Sequence, residues 1–317
     1  MDAHIPGLHH VTAICGDAQA NVDFYVGVLG LRVVKRTVNF DAPDTYHLYY
    51  GDGAGRPGTI MTFFPWPGAP RGRRGTGQAI TTSFAIPAAS VGYWTGRLHR
   101  LGVAVQSPIE RLGDTVIPFT DHDGLALELV AASHPDARDP DWPAGVPSEH
   151  AIRGFHGVTL AVDGYERSAA LLTTTLGFEP AGETGNLFRF AVPGHAAAGG
   201  VDVVCLPDAP RGRTAVGTVH HVAWRARTDA AQAAWRARLV AGGLDVTPQL
   251  DRNYFRSIYF REPGGVLFEI ATDAPGFAVD EPVEHLGSTL RLPRWLERHR
   301  AEVEAALPPL RIPPVSG

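Results

Sequence analysis

The chain has 317 residues, of which 44% are hydrophobic and 19% charged, with a net charge of -5. That composition excludes a disordered chain and lacks the basic footprint of a nucleic-acid binder. No apolar run approaches the length of a membrane span, no secretory signal is readable, and Cys15 and Cys205 make no disulfide framework; a cytoplasmic protein, with no membrane partner, is expected.

The predicted elements repeat. Residues 7–34 (GLHHVTAICGDAQANVDFYVGVLGLRVV) and 154–180 (GFHGVTLAVDGYERSAALLTTTLGFEP) each read as a short strand, a polar turn, a helix of about three turns and a Leu-Gly exit at Gly30 or Gly177. Looser copies begin at Thr81 and Gly217, with exits at Gly102 and at Gly242–Gly243. Each copy is followed by hairpin patterns, as in 116–131 and 257–272. The units span about 7–66, 80–133, 153–206 and 217–272. Each reads as βαβββ, an α+β arrangement in which paired units curl into open barrel-like sheets that bury one another's faces.

Along the chain this gives an N-terminal domain of two units (1–133), a Pro- and Asp-rich linker (134–152), a C-terminal domain of two units (153–273) and an extension (274–317). The extension contains a loop and then a charged helix over 293–306, with Pro293 near its first turn. Arg71, Arg73 and Arg74 in the connector 65–78 read as a solvated loop, and Glu284 and His285 as surface residues.

Two of the four opening strands carry a histidine doublet, His9–His10 and His220–His221. Neighbouring strand residues face opposite sides, so one member of each doublet points inward among apolar neighbours. Glu269, between Phe268 and Ile270, occupies an inward position of a last strand, where an unpaired carboxylate costs several kcal/mol. A divalent metal resolves that cost, and two imidazoles with one carboxylate leave coordination positions open, a pattern suited to Fe(II) or Mn(II). The second unit has Glu128 but Phe84 at the histidine position; the third has His156 but only Val204 or Cys205 near the glutamate position; the first has no acid in its last strand. The fourth unit therefore supplies His221 and Glu269, and either His10 or His156 completes the set, the shared doublet favouring His10. Trp66, Trp94, Trp224 and Trp235 read as packing residues, and Tyr254 and Phe255 as packing or pocket wall.

On LHHVTAI, GTVHHVAW and LDRNYFRSIYFREPGGVLFEIATDAPGF, the chain resembles the vicinal oxygen chelate superfamily of glyoxalases, bleomycin- and fosfomycin-resistance proteins and extradiol dioxygenases. It is most similar to the hydroquinone-type ring-cleaving dioxygenases. The resemblance implies Fe(II) held by His10, His221 and Glu269, and pocket residues His9, Thr12, His220, Arg252 and Tyr259. It implies a small dihydroxylated aromatic substrate and dioxygen as partners, and is compatible with a homo-oligomer. In such a site Arg252 offers permanent positive charge, Tyr259 a hydroxyl, and His220 an acid-base group. The competing readings are a glyoxalase-like isomerase or thiol transferase, and a non-enzymatic protein that sequesters an aromatic compound; the complete His-His-Glu set argues against the last.

Overall fold

A computed structural model describes residues 4–134, 136, 138, 145–194 and 199–313; parts of the 134–152 linker lie outside the described residues. All four units are βαβββ. The first contains β1 (Leu8–Cys15), α1 (Ala18–Val22), β2 (Arg32–Asn39), β3 (Ala42–Gly51) and β4 (Ile60–Pro65). The second contains β5 (Gln78–Ala85), α2 (Val91–Arg100), β6 (Ile109–Arg111), β7 (Asp114–Thr120) and β8 (Ala126–Ala131). The third contains β9 (Phe155–Val162), α3 (Glu166–Ala170), β10 (Glu179–Thr184), β11 (Leu187–Ala191) and β12 (Gly200–Cys205). The fourth contains β13 (Thr218–Ala226), α4 (Asp229–Ala241), β14 (Leu250–Asp251), β15 (Arg256–Arg261) and β16 (Leu267–Thr272).

Local chemistry starts the helices where the sequence places them. Asp17 accepts from the backbone N–H of Ala20 at 2.7 Å, and Thr228 from that of Ala231 at 3.1 Å, each relieving an unsatisfied first-turn donor. After α1 and α3 the helix widens into a π turn, at Asp23–Val28 and Leu171–Thr175, before the glycine exits. Gly30 and Gly177 sit at φ of 74° and 77°, a left-handed conformation that favours glycine. Among the described residues, no helix is long and apolar enough to cross a membrane.

Two eight-stranded sheets result, in the orders β14-β15-β16-β13-β1-β4-β3-β2 and β10-β11-β12-β9-β5-β8-β7-β6. The first sheet joins units one and four through an antiparallel β1–β13 seam; the second joins units two and three through β5–β9. The sheets thus cut across the sequence halves 1–133 and 153–273, each half lending one unit to each sheet. The second sheet curls until Leu112, in the β6–β7 turn, lies beside Gly182 of β10, while the first remains a half-barrel.

The connectors 65–78 and 205–217 pair with each other: Arg73 N–H donates to Arg213 O at 3.0 Å and Arg213 N–H to Arg73 O at 2.8 Å. Gly72 and Gly75 permit that approach, since a Cβ on Gly75 would sit 2.2 Å from Pro210 O. Arg71, Arg73 and Arg74 are exposed, and so are Glu284 and His285.

The C-terminal helix starts later than its sequence suggests. The carbonyl of Pro293 closes a turn with Leu296 N–H, a 3-10 turn covers Glu297–His299, and only α5 (Arg300–Ala306) is α-helical. The extension before it packs on the first sheet. Lys35, fully buried on β2, places its ammonium 2.5 Å from both Asp280 and Glu281. Phe277 and Leu286 join Val34, Tyr49, Tyr254 and Phe255 in a small core behind the cavity wall.

Candidate metal centre

Pairing register fixes what the repeats align. Glu128 pairs with Ser83 as Glu269 pairs, through β13, with Ala223. Thr81, not Phe84, therefore stands where His221 does. Likewise Gly200 pairs with Gly157 as Ile60 pairs with His10, so Gly157 holds the His10 position and His156 the His9 position. Counted from the glycine before each strand, Gly77 against Gly217 and Gly7 against Gly154, the same matches follow without a gap.

Among the described residues, the second sheet accordingly has no His-His-Glu set. Glu128 accepts from Ser83 at 2.7 Å and from Arg111, while Arg189 bridges Asp202 and Asp114. His156 sits 3.5 Å from Asp114, in the other sheet from His221 and Glu269. A closed network of guanidinium and carboxylate groups fills the place a cation would take.

In the first sheet β1, β13 and β16 are neighbours and bring His10, His221 and Glu269 together, their donor atoms all within 4.8 Å of one another. Nε2 of His10 and Nε2 of His221 lie 3.3 and 2.9 Å from Glu269 Oε2. That oxygen is buried with no hydrogen-bond partner, whereas the other carboxylate oxygen accepts from the buried Ser257 hydroxyl. Burial pushes the Glu269 carboxyl upward, but the two imidazoles facing it hold it well below its ordinary value. Burial also lowers the His221 imidazole, leaving it neutral. Two imidazole nitrogens and one carboxylate oxygen thus converge away from water. This donor set fits a divalent cation.

The doublets explain which nitrogens are free. The β1 and β13 bulges at His9 and His220 break strict alternation, so both rings of each doublet meet: Nδ1 of His9 and His10 are 2.9 Å apart, and Nδ1 of His220 and His221 are 2.8 Å apart. Nε2 of His9 lies 3.2 Å from Thr272 O, a carbonyl that can only accept. His9 therefore carries its proton on Nε2 and accepts on Nδ1, which places the His10 proton on Nδ1 and frees His10 Nε2 as a lone pair. The same logic applied to a free Nε2 on His221 leaves His220 with Nε2–H directed away from the doublet. Burial, reinforced by His221, takes the His220 imidazole down to about 3.

The three groups open onto a cavity of about 360 Å³, within the range of small-molecule sites. His220, Arg252 and Tyr259 line it; His9 and Thr12 do not. His9 lies behind His10, and Thr12 lies beneath the cavity, its hydroxyl 3.1 Å from that of Thr62. Tyr259 stands opposite Glu269 in the β15–β16 ladder, and Arg252 Nε donates to its hydroxyl at 3.3 Å. Burial, with Glu269 nearby, raises the Tyr259 phenol well above its ordinary value, so it stays a donor. Arg252 also reaches Asp41 at 3.4 Å across the mouth.

Several site residues escape sequence reasoning. His47, Tyr49, Phe64 and Asp41 line the cavity from the first unit, and Ser257 holds the carboxylate from behind. Trp66, read as packing, is half-buried in the cavity wall, because β4 ends where the curled sheet opens. Trp94, Trp224 and Trp235 are buried in the core. Tyr254 is buried behind the wall, and Phe255 forms part of it, its ring 5.0 Å from that of His10. A His-x-Tyr alternation on β3 was the available signal for His47 and Tyr49, but it has no counterpart in the other units.

The chain is similar to several known proteins along nearly its whole length. The chain is 46% identical over 307 residues to Bacillus subtilis MhqO, whose name places it provisionally among ring-cleaving dioxygenases; the match covers 96% of this chain and 97% of that one. It is 36% identical over 309 residues to the chlorohydroquinone/hydroquinone 1,2-dioxygenase of Sphingobium indicum, covering 96% of both chains. A crystal structure of a Bacillus subtilis protein, provisionally named a dioxygenase, superposes with a TM-score of 0.93 at 45% identity, covering 98% of this chain and 99% of the other. Residues 7–129 and 154–270 match the family model of the Glyoxalase/Bleomycin resistance protein/Dioxygenase superfamily, and the chain belongs to that superfamily.

Proposed function

We propose that this chain is an Fe(II)-dependent dioxygenase that opens the ring of a hydroquinone, using His10, His221 and Glu269 as ligands. The carrying observation is the buried, unpartnered Glu269 Oε2 between two imidazole nitrogens at the floor of a cavity lined by Arg252, Tyr259 and His220. The substrate class comes from the similarity to the hydroquinone dioxygenase of Sphingobium indicum. Mn(II) suits the same donors. A redox-active ion bound there supplies the electron path between an aromatic ring and dioxygen.

The chain's own groups do the rest. The guanidinium of Arg252, beside Tyr259, stabilises a ring oxygen that binds as its phenolate. Tyr259 remains protonated and donates a hydrogen bond next to Glu269. His220 presents Nε2–H to the cavity and orients His221 through the paired Nδ1 atoms. Phe255, Phe64 and Trp66 give the ring apolar walls that limit access of water.

The test is oxygen uptake by anaerobically purified, Fe(II)-loaded protein on matched hydroquinones and catechols. Consumption of one O2 per hydroquinone, with catechols poorer in kcat/KM, is expected. Full turnover with zinc, or no uptake on any hydroquinone at full iron loading, overturns the reading.

A further inference from the structure

His47 and Tyr49 lie two residues apart on one face of β3, and both line the cavity. The roles given to Arg252, Tyr259 and His220 leave them unused. They are joined in a continuous hydrogen-bonded chain. The Tyr49 hydroxyl is 2.9 Å from His47 Nδ1, His47 Nε2 is 2.7 Å from Thr62 Oγ1, and Thr62 Oγ1 is 3.1 Å from Thr12 Oγ1. The chain crosses β3, β4 and β1, in the order those strands take in the sheet.

The same order sets the cavity's geography. The donor triad is on β1, β13 and β16. Arg252 and Tyr259 stand on the β15 side, and His47 and Tyr49 on the β3 side. Phe255, in the cavity wall, packs against both sides, its ring 5.0 Å from the His10 ring and 6.4 Å from the Tyr49 ring. Tyr49 and the ligands thus share one cavity and a common wall residue.

A para-diol bound through one oxygen carries its other oxygen across the ring, where only protein groups can meet it. Tyr259, paired with Glu269, is placed for the near oxygen. For the far one, the β3 chain offers a matching partner. Every member of that chain can both donate and accept. With the His47 proton on Nδ1, the imidazole donates to Tyr49 and the phenol proton is free for the cavity. With it on Nε2, His47 donates to Thr62, Tyr49 donates to Nδ1, and the phenol lone pairs are free. Burial, with His10 and His221 nearby, keeps His47 neutral and so leaves both tautomers open; burial also keeps the Tyr49 hydroxyl protonated.

We infer that the Tyr49 hydroxyl is the contact for the second, remote oxygen of the ring, and that His47 is a positioning residue that holds this hydroxyl ready for either a hydroxyl or a carbonyl-type oxygen. The inference rests on the hydroquinone reading above and adds where the far end of the ring is recognised. It also gives Thr12 a place, as the last link beneath the cavity rather than a wall of it.

Binding without turnover tests it. Fe(II)-loaded protein is titrated anaerobically by calorimetry with hydroquinone and with phenol, which keeps the near oxygen and lacks the far one. The native chain binds hydroquinone about tenfold more tightly than phenol, the worth of one well-made hydrogen bond. Tyr49→Phe brings the ratio close to one, with phenol affinity and iron content unchanged. His47→Phe keeps the aromatic wall and lowers the ratio, His47→Gln restores part of it, and the Tyr49→Phe/His47→Phe double variant loses no more than Tyr49→Phe alone. Tyr49→Phe removes a single oxygen, so it decides the matter even where a His47 variant does not fold. If Tyr49→Phe keeps the tenfold preference while the native protein consumes oxygen on hydroquinone, this inference is wrong and the functional reading stands. If the native protein neither binds nor oxidises any hydroquinone, both fall.

Discussion

The Nδ1 atoms of His9 and His10 face each other at 2.9 Å, and the Thr272 carbonyl behind His9 decides which of them carries the proton. On the proposed reading, the contact gives His9 a positioning role although it does not line the cavity: it favours the His10 tautomer with a free Nε2. Replacing His9 by Phe leaves His10 without that constraint, and metal affinity should fall about 10- to 100-fold. Equilibrium dialysis against buffered Fe(II) or Mn(II) measures this; an unchanged affinity would show that the doublet is only packing.

The two-sheet arrangement separates two histidines that look alike in sequence. His10→Ala should abolish stoichiometric metal binding, whereas His156→Ala, in the other sheet beside Asp114, should keep about one metal per chain. Metal analysis of the two purified variants gives the answer, and the reverse result would move the centre to the second sheet.

On the proposed reading, Tyr259 and Arg252 act on charge at the ring rather than on the ion. Tyr259→Phe should lower kcat by about 10- to 100-fold with iron content unchanged, since a donor beside the reacting oxygen is lost. Arg252→Lys keeps the charge but loses the planar fork that reaches both Tyr259 and Asp41, and kcat/KM should drop. Steady-state oxygen consumption, with iron quantified in each preparation, tests both; iron loss parallel to rate loss would refute the assigned roles.

Lys35 fastens the extension. Lys35→Met strands the buried Glu281, and the cost should be about 3 kcal/mol, the low end for a broken buried pair because Arg291 and Thr289 still reach that carboxylate. Urea unfolding measures it. The pH dependence has a definite sign. Burial raises the Glu281 carboxyl, but Lys35, Gly287 and Thr289 outweigh this and hold it below its ordinary 4.5. Its contribution is therefore full above pH 4.5 and is lost as pH falls through the depressed folded value. Lys35→Met should flatten that acid limb; an unchanged limb would assign it to other groups.

Much of this was legible in the sequence because the fold repeats. Four strand-helix patterns, two doublets and one misplaced acid led to His10, His221 and Glu269, and the shared doublet pointed to the pairing of units one and four. What was not legible depends on bulges and on curvature. A bulge at His220 turns both members of a doublet inward, and no residue pattern announces it. The match of Thr81 with His221 and of Gly157 with His10 involves no such shift and is open to a direct alignment of the repeats. His47 and Tyr49 looked like an ordinary hairpin because their importance comes from β3 curling over β1, a tertiary fact. Glu128 looked like a spare ligand until Arg111 was found against it.

The seam between β1 and β13 also governs when the centre can exist. His10 and His221 are 211 residues apart. At about 5–20 residues per second, a ribosome needs roughly 10 to 40 s to pass from one to the other. The strands of units two and three are all synthesised within that interval. Throughout it β1 waits with one edge unpaired, an invitation to wrong partners. On the proposed reading, metal loading is consequently a late event, open only to a chain whose fourth unit has emerged; a chain truncated before β16 would hold every strand of the second sheet and lack Glu269.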